Sequence, residues 1–189
     1  MRPVPWWALL SASSAPVLLI GGWTLAAARQ PGGFDPTTET ISALAAHGAT
    51  NRWIMTTGLA GLGVCHMVTA LGLRPAAPAG RLLLAAGGVA TVAVATFPQP
   101  DGGSSPAHVV AAGVSFPALA VWPALASRRR PGRLRPGISV GASVALLGLL
   151  GWFAAEFYGG GTRLGLSERM LAGAEAVWPL AAVVLARRR

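Results

Sequence analysis

Arg128-Arg129-Arg130-Pro131-Gly132-Arg133-Leu134-Arg135 is the stretch whose reading decides the fold. It holds five of the fifteen arginines in the chain and lies between two long apolar segments. A basic knot flanked by runs long enough to cross a bilayer reads as a cytoplasmic loop of a polytopic membrane protein, retained inside by the positive-inside bias. Composition agrees: 53% of the 189 residues are hydrophobic, 11% are charged and the mean hydropathy is +0.55. A soluble domain carries about 25% charged residues, so this chain lacks the polar surface a soluble fold needs.

Working outward from that loop, apolar runs of spanning length occur at about 5–28, 52–73, 81–97, 106–127, 136–158 and 168–186. The expected architecture is therefore an all-α integral membrane protein, a single polytopic domain over 1–189 with six transmembrane helices. The first run is longer than a signal-peptide core and reads as a retained span, with Trp6, Trp7 and Trp23 at the bilayer edges. Eleven arginines (2, 74, 81, 128, 129, 130, 133, 135, 187, 188, 189) fall on one side and four (29, 52, 163, 169) on the other. Asp35, Glu39, Asp101, Glu156 and Glu168 lie on or beside the arginine-poor side. Both termini are thus expected in the cytoplasm, and the absence of Lys beside abundant Arg, Ala, Gly and Pro has the look of a GC-rich bacterial gene. The expected location is a bacterial cytoplasmic membrane.

The net charge of +9 does not point to nucleic acid. The arginines cluster at the ends of apolar spans, where anionic headgroups are the natural partners, and the basic patches lack the interleaved aromatics of a nucleic-acid groove. The lone Cys65 excludes an intramolecular disulfide.

Between the first two spans, Asp35-Pro36 reads as an N-cap with proline at the first helical position. Ile41, Leu44 and Ala45 follow at helical spacing, and Gly48 suits a C-cap. A short amphipathic helix on the outer membrane surface is expected there. Ser105-Pro106 and Ser167 read as N-caps opening spans four and six, with Glu168 in the first turn. Gly137 and Gly141 form a small-xxx-small pair suited to close helix packing.

Polar residues at membrane depth are costly and often functional. His66 in span two and Glu175 in span six are the two such groups, readable as an interhelical clasp or as a proton relay or ligand contact. The arginine-poor face carries His47, Asp101, His108, Glu156 and Glu168, with Thr40 and Ser42 on the expected surface helix. Singly, each is most simply a solvated or capping group. If a metal were bound, His108, Asp101 and Glu156 would be its ligands, but no His-x-x-x-His or His-Glu-x-x-His pattern occurs. There is no Gly-x-Ser-x-Gly, Cys65 at membrane depth is poorly placed to form a thiolate, and no phosphate-binding glycine loop is present.

Thr40-Ile41-Ser42-Ala43-Leu44, Arg52-Trp53, Gly63-Val64-Cys65-His66 and the Phe97-Pro98 step with Asp101 and His108 together resemble the bacterial membrane family called domain of unknown function 998. The resemblance runs from about residue 16 to the end. It implies six membrane helices and no established activity, cofactor or catalytic residue. Proteins of that family resemble a wider group of six-span eukaryotic membrane proteins, including ones involved in remodelling lipid anchors and in autophagy.

Three functions stay open on these residues. The first is a protein without catalytic activity that binds a lipid or small amphiphile, or supports a membrane partner. The second is a hydrolase or transferase acting on lipid headgroups, its His66, His108, Asp101, Glu156 and Glu175 converging in one site. The third is a proton-coupled solute transporter resting on His66 and Glu175. The charge asymmetry itself is testable by cysteine labelling in a Cys65→Ala background. A membrane-impermeant maleimide is expected to label Thr162→Cys in intact cells, and Leu134→Cys only after permeabilisation.

Overall fold

The computed structural model describes residues 3–101, 103, 105–128 and 135–187. Arg129, Arg130, Arg133 and the terminal Arg2, Arg188 and Arg189, which the charge argument uses, lie outside the described residues. Among the described residues there are no strands, and six helices are long and apolar enough to cross a membrane. They are α1 (Trp6–Ala27), α2 (Trp53–Gly72), α3 (Pro78–Thr96), α4 (Pro106–Ala126), α5 (Pro136–Gly159) and α6 (Leu164–Arg187). The chain is a multi-pass membrane protein.

Helix starts follow local chemistry. Proline opens α3, α4 and α5, where a missing N–H costs nothing. Ser105 caps α4 as expected, its Oγ accepting from the His108 N–H at 3.4 Å. Proline at position 78 starts α3 one turn before the expected Arg81. Arg81 instead donates from Nε to the Ala70 carbonyl at 2.7 Å and from Nη2 to Leu71 at 3.1 Å, closing the end of α2. Ser167 is not an N-cap, because α6 already begins at Leu164; its Oγ donates back to the Leu164 carbonyl at 2.9 Å.

Each helix packs on its sequence neighbours and α1 meets α6, closing a ring. Two buried clusters stack inside it. One, at the end holding α1's C-terminus, includes Leu19, Leu44, Met55, Leu62 and Ala176. The other, at the opposite end, includes Leu73, Leu84, Leu119, Trp122 and Val183. α2 and α3 come into close contact: a Cβ on Gly63 would meet the Val92 side chain at 2.8 Å, and one on Gly88 would meet the Gly63 carbonyl oxygen at 2.6 Å. Small residues let these two backbones touch. Gly137 and Gly141 do not play that role, since nothing lies within 4 Å of a Cβ at either. α5 buries only Ser139, Ser143 and Leu146 and is the most exposed helix of the ring.

The segment joining α1 to α2 differs from the expected surface helix. It forms one turn after Asp35-Pro36 and a single 3₁₀ turn, Ser42–Ala45, with Ile41, Leu44 and Ala45 at most 2% exposed in the end of the bundle. Local side chains win the backbone donors that a helix would have used. Asp35 Oδ1 accepts from Thr37 N at 2.8 Å, Glu39 Oε1 from Asp35 N at 2.8 Å, and Thr40 Oγ1 from Ala43 N at 3.1 Å. The Thr37 N–H and the Thr38 hydroxyl hold the exposed Asp35 carboxyl below its usual pKa. Gly48 does not end a helix; it packs against Asp101, and Asn51 (φ 54°) makes the left-handed step into α2.

These contacts set a stability contrast. Gly63→Ala is expected to cost about 1–3 kcal/mol through forced separation of α2 from α3. Gly141→Ala, facing open space, is expected to stay within about 0.5 kcal/mol of the parent. Thermal unfolding in detergent checks both.

Candidate functional site

The buried 3₁₀ turn brings Ser42 to the first turn of α4. His108 Nε2 lies 3.1 Å from Ser42 Oγ, and its Nδ1 lies 3.0 Å from the Phe97 carbonyl oxygen. A carbonyl only accepts, so Nδ1 carries the hydrogen. On the other side of Ser42, Glu168 Oε1 stands 3.4 Å from Oγ, while its Oε2 accepts from the Ile41 N–H. All three side chains are buried. Glu168 is thus neither a rim acid nor a first-turn cap; it is the inner anchor of the segment between α1 and α2.

One proton count governs this chain of three. With Nδ1–H committed to Phe97, both contacts at Ser42 are hydrogen bonds at once only when two hydrogens are shared among Glu168, Ser42 and His108. Either Glu168 is a neutral acid donating to Ser42, which donates to Nε2, or imidazolium donates to Ser42, which donates to a carboxylate. The two arrangements contain the same protons and differ only in direction.

Arg169, the next residue on α6, clamps the segment from outside. Its Nη1 donates to the carbonyls of Pro36 (2.9 Å), Glu39 (2.7 Å) and Gly165 (2.9 Å), and its guanidinium lies 5.2 Å over the Phe34 ring. Leu166 N donates to Thr37 O at 2.9 Å, and Gly165 sits so close to the Glu39 carbonyl that no Cβ fits. Neither Glu168 nor Arg169 was legible as a bundle contact, because their partners lie about 130 residues earlier.

Ser42 and Glu168 form the wall between two cavities. One is a groove of about 350 Å³ between α4 and α5. Val109, Ala112, Gly113, Phe116 and Pro117 line it from α4, and Leu150, Phe153, Ala154, Phe157 and Tyr158 from α5. Both sets recur at helical spacing, so each is one face of its helix. Phe116 and Phe153 stack at 5.3 Å, and Phe153 and Phe157 at 6.0 Å. Thr40, Ser42, Gln99, His108 and Glu168 close the groove with hydrogen-bonding groups.

The second, smaller cavity of about 40 Å³ lies behind Phe116 and is lined by His66, Thr91, Ser115, Glu168 and Glu175, among apolar groups. The expected His66–Glu175 clasp is not made. Both ring nitrogens of His66 and Oε1 of Glu175 have no protein hydrogen-bond partner, yet both residues face this cavity. Buried polar atoms need partners, and the volume suffices for about three or four waters at 10–15 Å³ each.

The other expected residues are elsewhere. Asp101 lies against Gly48 on a separate polar surface. Glu156 accepts from Trp152 Nε1 at 3.1 Å and from Arg163 N at 2.9 Å, finishing α5. His47 accepts from Arg52 Nη1 at 3.0 Å. Among the described residues no three His, Cys, Asp or Glu side chains gather as a metal site. The expectation that His66, His108, Asp101, Glu156 and Glu175 converge is therefore corrected: His108 joins Ser42 and Thr40, His66 joins Glu175, and Asp101 and Glu156 stand apart.

Residues 13–185 match the family model described as "Protein of unknown function (DUF998)". The chain belongs to the DUF998 family. Comparison with curated proteins and with solved structures gave no match. The DUF998 match runs from inside α1 to inside α6 and so takes in the 3₁₀ turn, the groove and both cavities.

Glu168→Ala would leave the buried Ile41 N–H unpaired, at a cost of about 1–3 kcal/mol. Faster deuterium uptake across residues 38–46 is the expected readout, with a smaller change in Glu168→Gln, which keeps an acceptor for Ile41.

Proposed function

We propose that this DUF998 protein binds a single-chain amphiphile, its apolar chain along the α4–α5 groove and its polar head at Thr40, Ser42, Gln99, His108 and Glu168. The observation that carries this reading is the polarity gradient of the groove: aromatic and aliphatic walls along two helix faces, ending on a set of buried hydrogen-bonding groups. From His108 to Pro117 the α4 face is about 14 Å long at 1.5 Å per residue. The volume lies in the range of small-molecule sites, roughly 300–1,000 Å³. The weak burial of α5 supports entry from the bilayer, because the outer wall of the groove is the helix least held by its neighbours.

With the arginine-rich side in the cytoplasm of a bacterium, the head-binding end faces outward across the cytoplasmic membrane. A transporter on His66 and Glu175 would need a second route. Below their cavity the bundle is filled by Leu73, Leu84, Leu119, Trp122 and Val183, all buried, which weighs against passage.

Gly113→Trp tests the reading. Gly113 lines the groove and nothing lies within 4 Å of a Cβ built there, so a large side chain at this position is expected to occupy groove volume. Native mass spectrometry of the detergent-purified protein is expected to show a bound amphiphile in the parent and in Gly141→Trp, and its loss in Gly113→Trp. The same adduct at the same occupancy in all three would overturn the proposal.

A further inference from the structure

The Ser42–His108 pair is more than a headgroup contact. We propose that it is an acyl-transfer centre hydrolysing a carboxylic ester of the amphiphile, with Ser42 as nucleophile and His108 as general base. The proposal rests on the groove holding the acyl chain and goes beyond it by assigning a reaction.

The geometry meets the requirements of an activated serine. Ser42 Oγ is 3.1 Å from His108 Nε2, within proton-transfer reach. The Phe97 carbonyl, 3.0 Å from Nδ1, holds the ring in the tautomer whose Nε2 can accept; a carbonyl here does the orienting that a carboxylate does in other serine centres. Ser42 and His108 both line the groove, so an ester at its polar end meets Oγ directly. Glu168, on the far side of Ser42, is a positioning residue: it anchors the turn through Ile41 N and Ser42 Oγ. Thr40 and Gln99 line the same mouth and carry a hydroxyl and a carboxamide, the donor groups a developing oxyanion requires.

The reaction balances without a cofactor. Ser42 Oγ adds to the ester carbonyl carbon while its proton passes to Nε2. The tetrahedral adduct collapses, the bond to the alcohol oxygen breaks, and the alcohol leaves with the proton from Nε2. Water then adds to the acyl-serine and gives a proton to Nε2. The bond from the acyl carbon to Oγ breaks, and Oγ recovers its proton. The products are a carboxylic acid and an alcohol, and the pair returns to its starting state. Oγ thus loses its proton to Nε2 along a contact already made.

A long-chain alkyl fluorophosphonate provides the test, because Oγ attack forms an O–P bond, expels fluoride and leaves a fixed mass on the serine. The intact purified protein is expected to gain one phosphonyl group, mapped to Ser42 by peptide sequencing. Ser42→Ala is expected to take up none, whereas Gly141→Ala, outside the groove, is expected to label at the parent's rate. His108→Ala is expected to label at least about 100-fold more slowly, matching the loss of a general base, and to regain rate with added imidazole, which a purely structural role would not allow. An unlabelled parent, or label elsewhere than Ser42, with the amphiphile still bound overturns the catalytic assignment and leaves the binding reading standing. A parent with neither label nor amphiphile overturns both.

Discussion

The buried carboxyl of Glu168 is the contact on which the candidate site depends. It accepts the Ile41 N–H and meets Ser42 from a helix more than 120 residues away, and so draws the segment between α1 and α2 into the bundle instead of leaving it on the surface. A buried carboxyl without such partners would be costly. Here the donors it needs are the ones a short turn leaves open. Arg169 completes the attachment from the outside by collecting carbonyls of the same segment. The two neighbouring residues therefore satisfy opposite halves of the backbone's hydrogen-bonding demand.

That attachment is what creates a site. Once Ile41, Leu44 and Ala45 sit in the core, Ser42 is carried to His108 and becomes a partition between the open α4–α5 groove and the small polar cavity behind it. The rest of the ring divides its labour accordingly. α1 to α4 pack closely, with α2 and α3 in backbone contact at Gly63 and Gly88. α5 rests on few buried side chains. The groove therefore lies between a helix of the closely packed set and the most exposed helix of the ring.

The path from residues to site was legible to different depths. Span positions agree with the helices to within a few residues, and the Ser105-Pro106 cap formed as its chemistry requires. Ile41, Leu44 and Ala45 were correctly grouped as one apolar face, but the surface that buries them is the bundle and not the bilayer. Periodicity reports that a face is apolar and is silent on what covers it. Gly137 and Gly141 had the spacing of a packing motif and face open space, for the same reason. Thr40, Ser42 and His108 were on the candidate list, whereas Asp101 and Glu156 belong to other local structures. Membership of a cluster cannot be read from residue type when every candidate sits on a different segment.

Hydropathy, span length and charge asymmetry determined on their own that this is a multi-pass helical membrane protein. Those are sums over contiguous residues, and the bilayer acts on each span separately. Only the tertiary structure decided that Ser42 meets His108 across 66 residues, that Glu168 is an internal anchor, and that His66 and Glu175 share a cavity without touching. Hydrogen bonds reach about 3 Å and depend on direction, so their partners are chosen by how the helices close into a ring, a property that no single stretch of the chain contains.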